Sequence, residues 1–101
     1  MQLLTKAIEK TLPPLYSQEE VADPVVRVRF FDPCGSWTWY VTEGQREGSD
    51  FRFFGLVNGH EEEFGYFLLS ELQSVRRPLG LGIERDLFFK TAPLSTFRKT
   101  S

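Results

Sequence analysis

The amino-acid sequence predicts an α+β fold: a mainly antiparallel meander of four or five strands, an N-terminal helix packed on one face, and a short second helix. Three observations carry this. β-Branched and aromatic residues dominate from Val25 to about Leu69 and alternate with polar ones. Before them, apolar side chains recur at spacings of three and four. Turn-forming residues interrupt the middle of the chain at short intervals, so strands adjacent in sequence should pair.

The first element follows from Leu4, Ala7, Ile8, Thr11 and Leu12, which share one helical face and leave Lys6, Glu9 and Lys10 outward. Pro13-Pro14 ends it, because proline has no N–H to donate and pushes its predecessor into extended backbone. Ser17-Gln18-Glu19-Glu20 has a capping-box pattern, but Asp23-Pro24 leaves room only for a loop with a helical turn. In the first strand, Val26, Val28 and Phe30 fall on one face and Arg27 and Arg29 on the other. Asp32-Pro33-Cys34-Gly35 turns the chain into a second strand from Ser36 to Thr42. There Trp37, Trp39 and Val41 should face the core, with both indoles under the helix.

Residues 43–50 contain two glycines and no large apolar residue, the pattern of a mobile loop. A third strand runs from Phe51 to Val57, and Asn58-Gly59 closes it with a dipeptide that favours the positive φ of a tight hairpin. A fourth strand starts at Glu63 or Phe64 and ends at Leu69. Ser70-Glu71-Leu72-Gln73 matches a capping box and opens a short helix that Pro78 closes. Leu79-Gly80-Leu81-Gly82 is an apolar loop, Ile83 to Lys90 reads as a last strand, and residues 95–101 read as a frayed basic tail.

A chain of 101 residues suits one domain spanning residues 1–101. Ten Phe, three Tyr and two Trp supply much of the burial it needs, and fifteen aromatic rings are a surplus for one small core. Cys34 is the single cysteine, which excludes an intramolecular disulfide and a multi-cysteine metal cage. The apolar run in Met1–Lys6 is too short for a secretion signal and no stretch suits a membrane span, so a cytoplasmic protein without membrane contact is expected. The net charge of −2 hides an asymmetry: residues 61–75 carry four acidic and no basic side chains, whereas residues 76–101 carry six basic and two acidic ones.

His60 beside Glu61-Glu62-Glu63 is the densest ionisable cluster, but successive strand residues point to opposite faces, so at most two converge. Glu43 and Asp50 are the only obvious further ligands, and a solvated turn is expected rather than a metal site. No nucleophile elbow, zinc-helix motif or phosphate loop is present, and no cofactor is expected. An interaction role is therefore expected ahead of an enzymatic one. For a protein partner, Glu61, Glu62, Glu63, Arg76, Arg77 and Leu79 combine charge with an exposed apolar anchor. The alternative is a single-stranded nucleic-acid binder that uses Arg27 and Arg29 for phosphates and Tyr40 for base stacking on a basic and aromatic sheet face.

The runs Leu12-Pro13-Pro14-Leu15-Tyr16-Ser17-Gln18-Glu19, Ser36-Trp37-Thr38-Trp39-Tyr40-Val41-Thr42-Glu43 and Leu81-Gly82-Ile83-Glu84-Arg85-Asp86, with Phe54-Gly55-Leu56-Val57 and Glu63-Phe64-Gly65-Tyr66-Phe67 between them, resemble the bacterial family catalogued as domain of unknown function 2958. The resemblance spans nearly the whole chain and transfers no activity and no catalytic residue. It implies a passenger of a mobile genetic element whose partner is a host or element protein, such as a defence component.

Overall fold

The computed structural model describes residues 1–99. Its centre is a five-stranded antiparallel sheet. The strands are β2 (Val28–Phe31), β3 (Thr38–Glu47), β4 (Asp50–Asn58), β5 (Glu62–Leu68) and the short β6 (Glu84–Arg85), in the spatial order β5-β4-β3-β2-β6. The meander of β2 to β5 is the expected one, and β6 returns to pair with β2 through Phe30–Arg85 and Phe31–Glu84. β1 (Val25–Val26) and β7 (Ala92–Pro93) form a separate two-stranded sheet.

One face carries Val28, Phe30, Val41, Phe51, Phe53 and Phe67, all buried. Helix α1 (Lys6–Thr11) lies over it, capped by the Thr5 hydroxyl, which accepts the Ile8 N–H. The helix ends at Thr11, as the prolines require. Its seal comes mainly from the flanking Leu3, Leu4 and Leu12, with Ile8 packed against them. Ala7 and Thr11, read as part of the apolar face, are exposed, because so short a helix can bury only a narrow stripe. Helix α2 (Leu69–Ser74) adds Leu72 to the same core. It begins earlier than the Ser70 pattern suggested: Glu71 accepts the Leu68 N–H, and the Ser70 hydroxyl instead donates to Asp50.

Residues 43–50 are not a loop. β3 and β4 continue to a two-residue turn at Gly48-Ser49, where Gly48 has φ 62, and Gln45, Arg46 and Glu47 pair with Arg52, Phe51 and Asp50. Pairing through the backbone needs no apolar side chain on this stretch, so composition alone misreads it. The Asn58-Gly59 expectation also gives way: a three-residue turn separates β4 from β5, and Gly59 is not among the positive-φ glycines. The last strand shrinks to Glu84–Arg85.

The opposite face of the sheet is covered too. Val26, Leu56 and Leu94 are buried there with Tyr40, Phe89 and Phe97 against them. Val26 thus belongs to a different core from Val28 and Phe30: the chain breaks at Arg27, between β1 and β2, and β1 folds over to meet β7. The segment read as a frayed tail contains a 3-10 turn at Leu94–Thr96, and Phe97 stacks on Tyr40 at 4.8 Å; residues 100–101 lie outside the described residues. Trp37 is not under α1. It precedes β3, half exposed, with its indole on Gly59 and edge-on to His60 at 5.7 Å. Trp39 does pack against the helix-side core.

Candidate functional site

The residues singled out from sequence fall in three places. Glu61, Glu62 and Glu63 lie at the β4–β5 turn, where Glu61 and Glu63 are exposed and Glu62 accepts hydrogen bonds from Arg98 Nε and the Lys99 N–H. Arg76, Arg77 and Leu79 follow α2. Arg76 donates to the carbonyls of Gln73 and Val75, Arg77 pairs with Asp32 at 3.3 Å, and Leu79 is 96% exposed with φ 63. Of the nucleic-acid candidates, Arg29 pairs with Asp86 at 3.2 Å, Tyr40 lies beneath Phe97, and Arg27 is half-buried at the β1–β2 break with its Nε buried and without a hydrogen-bond partner among the described residues. Cys34 is exposed on the β2–β3 turn. Among the described residues no group of three His, Cys, Asp or Glu side chains could hold a metal ion, and no helix is long and apolar enough to cross a membrane.

The best-formed concavity is elsewhere, on the face opposite α1. It is a groove of about 460 Å³ with Thr42, Glu43, Phe54, Phe64 and Tyr66 on its floor, and residues of the 18–24 loop, Leu94 and Arg98 on its walls. Its position starts with a β-bulge. Val41 pairs with Gly55 and Glu43 with Phe54, so Thr42 is an extra residue on β3 and the alternation of faces slips by one. Beyond the bulge Glu43 points to the groove side and Gly44 to the helix side. The slip is tolerated because Gly44 has no side chain to meet Phe51 and Leu12, and its N–H bonds the Pro13 carbonyl at 2.9 Å.

Glu43 is 3% exposed, a burial that a carboxylate tolerates only with hydrogen-bond donors around it. It has two: the backbone N–H groups of Tyr16 at 2.9 Å and Gln18 at 2.8 Å. These bonds tie the turn after Pro13-Pro14 to the sheet and hold Tyr16 at φ 70, a left-handed conformation that costs a tyrosine free energy. The Tyr16 ring is thereby carried to Tyr66, 6.0 Å away. From there a row of rings crosses the floor, with Tyr66 to Phe54 at 4.8 Å and Phe54 stacked on Phe64 at 6.1 Å, and ends under the Arg98 guanidinium.

Phe64 is 47% and Tyr66 46% exposed, a large apolar area to leave in water. Partial burial, and then the neighbouring Tyr16 phenol and the Glu43 and Glu19 carboxylates, hold the Tyr66 hydroxyl above the ordinary phenol range. An aromatic floor in a negative field attracts cations and flat or apolar groups attached to them. Tyr16, Phe54, Phe64 and Tyr66 were not singled out from sequence. The available signal was a fourth strand with aromatics on both faces: Phe64 and Tyr66 on one, Phe67 on the other.

Over residues 2–101 the chain matches the model of a family described as a protein of unknown function (DUF2958). No curated protein and no solved structure matches it.

Proposed function

The chain belongs to the DUF2958 family, and from that premise we propose that it is a protein-binding module whose working surface is the aromatic groove beside β5. The observation that carries this reading is the pair Phe64 and Tyr66, half exposed on the floor of a groove whose wall is held in place by a buried carboxylate. Aromatic side chains fixed by packing give contact area with little ordering cost on binding, which is why they anchor protein interfaces. The groove joins the acidic run at Glu61-Glu62-Glu63 through Glu62 and Arg98, so the earlier candidates on that turn become its charged rim. If the chain travels on a mobile element, the partner is a host or element protein, a defence component among them.

A photo-crosslinking amino acid in place of Phe64, compared with one in place of the exposed Lys10, tests this in living cells. A discrete protein adduct from position 64 and none from position 10 is the expected result. Adducts to nucleic acid, or none at either position, would reject it.

A further inference from the structure

We propose, resting on the reading of the groove as a protein-binding surface, that its occupant is an extended, cationic peptide segment that adds as a sixth strand to the open edge of β5. β5 is an edge strand of seven residues with no proline, no lysine and no bulge; its charges stand at the Glu62-Glu63 end, and its middle residues Phe64, Gly65 and Tyr66 are uncharged, so the edge there is open to a further strand. Its register decides which backbone groups face outward. The Leu68 N–H turns away from β4 to Glu71 Oε1 at 2.7 Å, and in an antiparallel ladder the outward set alternates. Tyr66 and Phe64 therefore present their N–H and C=O groups to the open edge, while their rings form the groove floor. One pair of residues offers both the ladder that an added strand needs and the apolar surface that its alternate side chains would cover. Gly65, between them, has open space where a Cβ would stand, so the other face of β5 is uncovered at this position.

Charge chooses between occupants. Glu61, Glu63 and Glu71 are exposed along this edge, Glu19 lines the groove, and residues 61–75 contain no basic side chain. The nearby Arg52 and Arg98 are already paired with Glu47 and Glu62. A second copy of the chain, paired antiparallel through its own β5, would bring the Glu61–Glu63 end of one strand to the Glu71 end of the other and set like charges together. A strand bearing lysine or arginine between apolar residues meets no such repulsion.

The test is selection from a displayed library of random peptides about twelve residues long, followed by amide exchange on the ¹⁵N-labelled full chain. Expected are sequences alternating apolar and basic residues, whose binding slows exchange at Phe64 and Tyr66 by about tenfold or more. Methylating alternate backbone nitrogens of the selected peptide should abolish binding, and Glu61→Lys with Glu63→Lys should weaken it about tenfold. Selected peptides that perturb Thr42 and Glu43 but leave the Phe64 and Tyr66 amides unprotected, or that tolerate methylation, would overturn strand addition and leave the groove reading standing. No enrichment over a Tyr66→Ala, Phe64→Ala control would overturn both. Concentration-dependent self-association that protects the same two amides would make a second copy the occupant and overturn the proposal.

Discussion

The buried Glu43 carboxylate accepts the backbone N–H of Tyr16 at 2.9 Å, and through that bond one strand residue fixes a turn 27 positions earlier in the chain. Its other oxygen takes the Gln18 N–H, so both lone donors of the turn end on one side chain. Replacing Glu43 with alanine strands these two donors in a partly buried place and should cost about 2–4 kcal/mol. Glu43→Gln keeps one acceptor and should cost less. Urea denaturation measures the loss, and the Tyr16 and Gln18 amides should exchange faster in Glu43→Ala while those of β4 at Phe53 stay protected. Equal loss of protection across the sheet would mean that Glu43 supports the whole fold and not the groove wall alone.

Gly55 and Gly65 face each other across β4 and β5, yet they should respond oppositely to alanine. A Cβ on Gly55 would overlap the Tyr40 carbonyl oxygen and press on the Val41 backbone, and neither can move without breaking the β3–β4 ladder at the bulge. Gly55→Ala should therefore cost about 3 kcal/mol or more. Gly65→Ala meets nothing and replaces a poor strand former, so its stability should change by less than about 1 kcal/mol. Thermal melts of the two variants side by side decide it.

The strands were legible where their side chains alternate, as in Trp39 and Val41 or Phe51 and Phe53, because burial on one face writes a period of two into the sequence. The second half of β3 was not. Gln45, Arg46 and Glu47 are exposed, and a bulge at Thr42 shifts the face on which each residue lies. The site was hidden for a related reason. The alternation in Val26, Val28 and Phe30 points to one apolar face, whereas β1, β7 and the Leu94–Phe97 segment cover the reverse side only in part and leave Phe64 and Tyr66 open. Glu43 stood out in the sequence only as a metal ligand on offer; that it would hold two backbone donors depends on a contact over more than twenty residues, which no local pattern records.

Trp37 and Trp39 share a sequence motif but not an environment. Trp39 packs into the helix-side core, so Trp39→Ala should cost about 3–5 kcal/mol. Trp37 covers Gly59 and His60 on the surface, and Trp37→Ala should cost about 1–2 kcal/mol, nearer an aromatic contact plus partial burial. Its fluorescence should also be the redder and more readily quenched of the two, so iodide quenching of single-tryptophan variants separates them independently of stability.

Acid should release the segment that roofs the second core before it unfolds the sheet. Asp23 accepts the Ser95 N–H at 2.8 Å and the Ser95 hydroxyl at 2.6 Å, and these two bonds hold its carboxyl below the usual aspartate range. A folded-state pKa that is depressed adds stability above the unfolded value, and that stability is lost as pH falls from about 4 through the folded value. The Leu94 N–H bonds the Pro24 carbonyl next door, so its exchange reports the same clasp. Corrected for intrinsic rates, protection at Ser95 and Leu94 should be constant near neutral pH and fall below about pH 4. Asp23→Asn should lower protection at neutral pH and remove the step. Asp50 holds Ser70 by the same pair of bonds and is depressed for the same reason, so the step at Ser70 should survive in Asp23→Asn. Loss of both steps together would show that acid acts on the fold as a whole and not on the Asp23–Ser95 clasp.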